Sequence, residues 1–136
     1  MELEMAIWNI WSINRITGAI VALAVVIAIW VAARFASVAS EQNDENKNII
    51  GKIILTLFGA SVIAWGMMNN LMSQRNWTIT ADAFGNMKEA GMDLSPAALE
   101  FIANYTGEPS LMNMPMVIVF FLTAFLIILF PIWFKK

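Results

Sequence analysis

The chain has 136 residues, of which 60 % are hydrophobic and only 13 % are charged, and its net charge is −2. Soluble domains carry about 25 % charged residues, so this composition indicates a protein surrounded mostly by lipid. The weak net charge gives no reason to expect nucleic acid as a partner. The chain has no Cys and no His, which excludes disulfides, thiol chemistry and the commonest protein ligands of haem and zinc. We therefore expect no catalytic site and no cofactor held by this chain alone.

The first segment, residues 1–15, is predicted to be an interfacial lead-in to a membrane span. It contains Trp8 and Trp11, which are three positions apart and so share one face of a helix. Indole rings prefer the boundary between membrane and water. The acidic start, with Glu2 and Glu4, does not fit the cationic beginning of a secretory signal peptide.

Three apolar segments are long enough to span a membrane as helices, which takes about 20 residues. They are residues 16–36, 50–72 and 114–134. Continuous apolar runs favour helices, because a membrane β-barrel needs many alternating strands. The predicted fold is an all-α integral membrane protein with three transmembrane helices. Their apolar cores contain no Asp, Glu, Lys or Arg, which argues against a pump or a coupled transporter.

The distribution of Lys and Arg predicts the orientation of these spans. The side that holds the connection at residues 37–49 and the tail at residues 135–136 has five cationic residues, namely Arg34, Lys47, Lys52, Lys135 and Lys136. The other side has three, namely Arg15, Arg75 and Lys88. Because cytoplasmic flanks carry the excess of Lys and Arg, we expect the N-terminus outside and the C-terminus in the cytoplasm. The expected location is a plasma or inner membrane.

The extracytoplasmic segment between the second and third spans, residues 73–113, is predicted to contain two short helices. Asp82 can cap the first, and Ser95 followed by Pro96 is typical of the start of the second. Two short helices cannot enclose a core, so we expect the segment to lie on the membrane surface or against another protein. Its carboxylates are interpreted as surface charges, because the segment is too small to build a catalytic cleft.

Small side chains recur at every fourth position of the first span, and the second span has a shorter version of this pattern. The members are Ala24, Ala28, Ala32, Ala36 and Ser40 in the first, and Ala60 and Ala64 in the second. Small residues let membrane helices approach closely and gain dispersion contacts. We predict a helix-packing interface here, with other integral membrane subunits as partners. The third span has no such pattern and is expected to face lipid or a groove on another subunit.

Three methionines alternate in residues 111–116, which read LMNMPM. Thioethers bind Cu(I), and in an extended backbone Met112, Met114 and Met116 would project to the same side. Pro115 favours an extended backbone at Met114. Methionine also fills irregular packing contacts, and this packing role at the start of the third span is the favoured interpretation, with a copper site as the alternative.

The leading hypothesis for function is a non-catalytic accessory subunit of a larger membrane complex, such as a respiratory or monooxygenase-type assembly, with bound lipids. One alternative is a small pore or holin-like protein that forms homo-oligomers. This alternative ranks lower, because a water-filled pore needs a polar lining and no span is strongly amphipathic. The other alternative is Cu(I) handling through the three methionines.

Overall fold

A computed structural model of the chain describes residues 2–41 and 49–134. Its elements are α1 (Glu2–Glu41), α2 (Ile49–Glu89), α3 (Pro96–Asn104), a 3-10 turn (Leu111–Asn113) and α4 (Pro115–Trp133), and this described part contains no strand. Three of the helices, α1, α2 and α4, are long and apolar enough to span a membrane, which confirms the predicted all-α class and the number of such helices. Residue 1, residues 42–48 of the predicted connection and the tail at residues 135–136 lie outside the described residues.

The three long helices differ in length. At 1.5 Å per residue, the 40 residues of α1 and the 41 residues of α2 extend about 60 Å each. The 19 residues of α4 extend about 28 Å, close to the hydrocarbon thickness of about 30 Å. The first turns of α4 lie level with Val21 of α1 and Met67 of α2. We call the part level with α4 the bundle (residues 18–41, 49–72 and α4), and the part beyond it the head (residues 2–17, 73–89 and α3).

Residues 2–15 are continuous with the first span, because α1 runs from Glu2 to Glu41; their interfacial position stays a prediction. The helix boundaries correct one prediction. No separate short helix begins at Asp82, since α2 continues through Glu89. No proline interrupts α2, and it ends where Gly91 adopts a φ of 77°. There the Met92 N–H donates to Met87 O at 3.1 Å and the Gly91 N–H donates to Lys88 O at 3.0 Å, which is the Schellman arrangement.

The second predicted short helix forms as α3. Ser95 is its N-cap, and the Ser95 hydroxyl oxygen accepts the Ala98 N–H at 3.3 Å. Pro96 takes the first helical position, where its missing N–H costs nothing. The start of α3 could be predicted from Ser95 and Pro96 alone, because helix capping depends only on neighbouring residues.

The core of the bundle is formed by α4 packing against α1 and α2. The buried residues of α4 are Phe121, Ala124, Ile128 and Ile132. The space for them comes from glycines of α2, since a Cβ at Gly66 would lie 2.3 Å from Phe121 Cε1, and one at Gly59 would lie 2.8 Å from Ile128 Cγ2. The prediction that the third span faces lipid or a groove on another subunit did not include this packing within the chain. The prediction looked for small residues on the third span itself, whereas the glycines that make room for α4 lie on α2.

The head has a hydrophobic core of its own. Ala81, Phe84 and Met87 of α2 pack against Ala98 and Phe101 of α3, and residues of α1 close the third side. Trp8 of α1 lies 4.9 Å from Phe84 and 5.3 Å from Phe101 between ring centroids. The expectation that the segment at residues 73–113 has no core within this chain is wrong, because α1 supplies the third wall. Trp8 and Trp11 therefore pack against the core of the head, and their interfacial position relative to a membrane stays a prediction.

Candidate interaction surface

Two side chains, the carboxylate of Glu4 and the amide of Gln74, connect separate elements of the chain. Glu4 joins α1 to the start of α3. The Ser95 hydroxyl donates to Glu4 Oε1, the Ser95 backbone N–H donates to Oε2 at 3.3 Å, and the Trp8 indole N–H donates to Oε1 at 3.4 Å. These hydrogen bonds, with the Ser95 hydroxyl as the largest cause, lower the pKa of Glu4 below its ordinary value. Glu4 is thus a carboxylate that fixes α1 to the N-terminus of α3, where negative charge is favoured.

Gln74 is buried at the boundary between head and bundle. Its Nε2 donates to Ser110 O at 3.0 Å, and its Oε1 accepts the Ser110 N–H at 3.1 Å. Both groups of the amide are therefore satisfied by one backbone residue just before the 3-10 turn. This pair fixes the chain that enters α4 to the side of α2.

The polar face of α1 in the head points toward the chain's own helices. Asn14 Nδ2 donates to Asn76 Oδ1 at 2.9 Å, and the Arg15 guanidinium lies 5.3 Å from the Trp11 ring and 5.9 Å from the Trp77 ring. Such distances are those of cation–π contacts. With Glu4 engaged by Ser95, both charged residues that α1 carries between Leu3 and Ala33 are turned away from its opposite face.

That opposite face of α1 is uncovered and mainly apolar, with the exposed Asn9 beside it. We call it the outward face; its eight exposed members are Leu3, Ala6, Ile10, Ile13, Thr17, Ile20, Ala24 and Ile27. Ile10 is 60 % exposed and Ile13 is 62 % exposed, although both lie in the head. By contrast, α2 and α3 expose charged residues there, namely Asp82, Lys88, Glu89 and Glu100. An exposed apolar face of this kind marks a protein interaction site or a membrane contact.

The predicted stripe of small residues is divided by the structure. Ala32 and Ala36 are buried against Ile128 and Ile132 of α4. Ala24 and Ala64 are exposed, whereas Ala28, Ser40 and Ala60 are partly buried. The centre of the stripe therefore packs within this chain, and only its ends remain for a partner.

The methionine stretch does not have the extended backbone on which the copper prediction depended. Residues Leu111–Asn113 form a 3-10 turn, Met114 has φ −132° and ψ 70°, and Pro115 begins α4. Met112 and Met116 are 80 % and 77 % exposed, so they do not fill a packing contact within this chain. Copper binding through the three methionines stays a prediction, which metal analysis of the purified protein tests.

Within residues 2–41 and 49–134, no three His, Cys, Asp or Glu side chains are grouped so that they could hold a metal ion. A cleft of about 260 Å³ opens between α1, α2 and α4 and is lined mainly by apolar side chains, including Val26, Met116 and Phe120. Asn69 and Asn70 are its polar lining residues, and Asn69 Nδ2 also donates to Gly18 O at 3.4 Å.

Sequence reasoning missed the outward face although its signal was present. Apolar or small residues alternate in steps of three and four from Leu3 to Ile27, and the every-fourth pattern of alanines drew the interpretation instead. The contact between Glu4 and Ser95 had no such signal, because it joins residues 91 positions apart. No family model, no curated protein and no solved structure matches the chain. Its function is therefore inferred from its own surfaces.

Proposed function

We propose that this chain is a non-catalytic structural subunit of a membrane protein complex, and that it contacts another subunit through the outward face of α1. One observation carries the proposal: the outward face remains apolar and exposed in the head, at Leu3, Ala6, Ile10 and Ile13. Exposed apolar surface costs roughly 25 cal/mol per Å² relative to burial, so covering this face with a partner is favourable.

The head belongs outside the hydrocarbon layer. A helix of 19 residues such as α4 already crosses a layer of about 30 Å. The parts of α1 and α2 beyond it therefore enter the headgroup region and water. The charged surfaces of α2 and α3 suit that environment, whereas the outward face of α1 does not.

The orientation follows from the cationic residues. With five Lys and Arg residues near the connection and the tail and three on the other side, the head and the N-terminus lie outside and the C-terminus lies in the cytoplasm. A plasma or inner membrane is the expected location. Lipid acyl chains are the expected occupants of the cleft beside Phe120, since its lining is mainly apolar.

A role as a self-assembling pore has less support. A wet pore needs polar side chains along its lining, but the exposed residues of the outward face are aliphatic apart from Thr17. The Thr17 hydroxyl is itself used, because it donates to Ile13 O at 3.0 Å. Oligomers built on this face would thus have a dry centre.

Affinity purification from native membranes tests the proposal. Native mass spectrometry of the tagged chain, extracted in a mild detergent, is expected to detect at least one further polypeptide chain bound to it, either a second copy or a different protein. Ile10→Gln is expected to reduce that recovery about tenfold or more, while Ser12→Gln, a matched change on an exposed α1 residue outside the outward face, leaves it unchanged. Recovery of a lone monomer from the unmodified chain, at every detergent tested, would contradict the proposal.

A further inference from the structure

The outward face of α1 has the spacing of a coiled-coil seam. Its eight members follow one another in steps of 3, 4, 3, 4, 3, 4 and 3 residues from Leu3 to Ile27, which are the a and d positions of successive heptads. The seam is about 36 Å long at 1.5 Å per residue. A repeat of 3.5 residues stays in line only along a partner that is itself a helix, coiling with a left-handed twist.

The seam is dry and closely approachable. Ala6, Thr17 and Ala24 are interspersed with larger aliphatic residues, and Ala24, which lies in the bundle, lets a facing backbone come near in the membrane, where small residues favour helix association. The one hydroxyl in the seam, on Thr17, is already bonded to the backbone of its own helix. A partner therefore needs to supply no polar group.

The seam also limits what the partner can be. It runs without a break from the head into the bundle, because α1 is a single helix. A partner that covers all of it must enter the membrane to the level of Ile27, leave it at the same level as α1 and continue as a helix for roughly 24 Å, the length of 16 residues. The α1 helix of a second copy meets each of these requirements.

Charge and direction favour a second copy further. All copies of a chain insert in the same direction, so their α1 helices are parallel and identical residues meet in register. With Leu3 at an a position, the e positions are Ile7, Asn14, Val21 and Ala28, and the g positions are Asn9, Ile16 and Leu23. None of these residues and none of the seam residues is charged, so pairing of two α1 helices from Leu3 to Ala28 brings no like charges together. The two charged side chains in this range, Glu4 and Arg15, contact Ser95 and two tryptophans of their own chain.

We propose that the partner on the outward face is a second copy of this chain, and that α1 helices associate in parallel through the seam from Leu3 to Ile27. This inference rests on the proposed function, because it names the partner of the same face. The adjacent a and d positions Ile10 and Ile13 carry the isoleucine pair that favours three or four strands over two in coiled coils. The complex is thus built around a central set of α1 helices, with the other helices of each copy outside.

Cysteine cross-linking tests the inference, since the chain has no cysteine of its own. Single variants Ile10→Cys and Ile13→Cys are oxidised in native membranes, where a disulfide needs Cβ atoms within about 4.5 Å. Both are expected to give covalent dimers in at least tenfold higher yield than Ser12→Cys, the matched exposed control on the same helix turn. Dimer formation at equal yield in all three variants would show random collision and overturn the inference.

A second arm separates this inference from the proposed function. A photo-reactive amino acid at Ile10 captures any protein that lies against the face. An adduct with the mass of two copies supports the inference. An adduct with a different protein, together with no disulfide dimer, overturns the inference but leaves the proposed function standing. No adduct and no disulfide dimer would overturn both.

Discussion

Adding one methyl group at Gly66 is expected to weaken the packing of α4 against the rest of the bundle. The Cβ of Gly66→Ala would lie 2.3 Å from Phe121 Cε1, 2.4 Å from Phe121 Cζ and 2.9 Å from Val25 Cγ1. Ordinary carbon contacts are about 3.5–4.0 Å, so the phenyl ring must move by more than 1 Å. Phe121 is only 4 % exposed, and the open space next to it is the cleft between α1, α2 and α4, which Phe121 and Gly66 both line.

The expected magnitude comes from two opposed effects. Overpacking of a filled core costs about 1–3 kcal/mol, whereas replacing a helical glycine by alanine gains about 0.5–1 kcal/mol when the space is open. Gly18→Ala is the matched control, because nothing lies within 4 Å of a Cβ at that position. The free energy of unfolding of Gly66→Ala should therefore fall about 1–3 kcal/mol below that of Gly18→Ala, with Gly59→Ala between them.

Unfolding by rising SDS in mixed micelles, followed by tryptophan fluorescence, measures these free energies. The double variant Gly66→Ala with Phe121→Leu should recover part of the loss, since the shorter side chain removes the clash. A coupling energy of about 0.5–3 kcal/mol between the two positions is expected for residues in contact. Equal stabilities of Gly66→Ala and Gly18→Ala would refute the reasoning, because α4 would then not lie on Gly66.

Two further predictions concern the polar contacts of the head. In the folded protein the pKa of Glu4 is lowered from the ordinary value of 4.5. The contribution of Glu4 to the free energy of unfolding is therefore fully present above that value and is lost as the pH falls through the folded pKa. Unfolding followed by tryptophan fluorescence should show a lower stability in that acidic range, and Glu4→Gln should remove this part of the pH dependence. Gln74→Leu removes the acceptor of the partly buried Ser110 N–H, while Ser110 O keeps the Asn113 N–H at 3.2 Å. The free energy of unfolding should fall by about 1–3 kcal/mol, and unchanged amide exchange at Ser110 would contradict it.

The sequence was sufficient for those features that depend on neighbouring residues. The spans follow from local hydropathy, and the start of α3 follows from Ser95 and Pro96, whose roles need no distant contact. The end of α2 at Gly91 was also predictable, because glycine suits the left-handed backbone of a helix C-cap, and Gly91 has a φ of 77°. The prediction of a separate helix at Asp82 was wrong because it relied on Asp82 as a capping residue, and such a residue inside a continuous helix need not start a new one.

The core of the head could not be predicted, because it brings Trp8 next to Phe101 across more than 90 residues of chain. Local periodicity contains no information on which helix faces which. The packing of α4 was missed for a related reason: the space for Phe121 lies on α2, at Gly66. A large residue and the gap that receives it are seldom close in sequence, so neither alone indicates an interface.

The two longest helices, α1 and α2, cross the boundary between bundle and head without interruption, so the head moves with any change in the tilt of the bundle. Each extends roughly 24 Å past the level at which α4 begins. A tilt of the bundle by about 5°, well within the range that membrane helices adopt, therefore displaces the tip of the head by roughly 2 Å. Changes in bilayer thickness that alter the tilt would thus be converted into sideways movement of the tip, where α3 and its charged surface are carried.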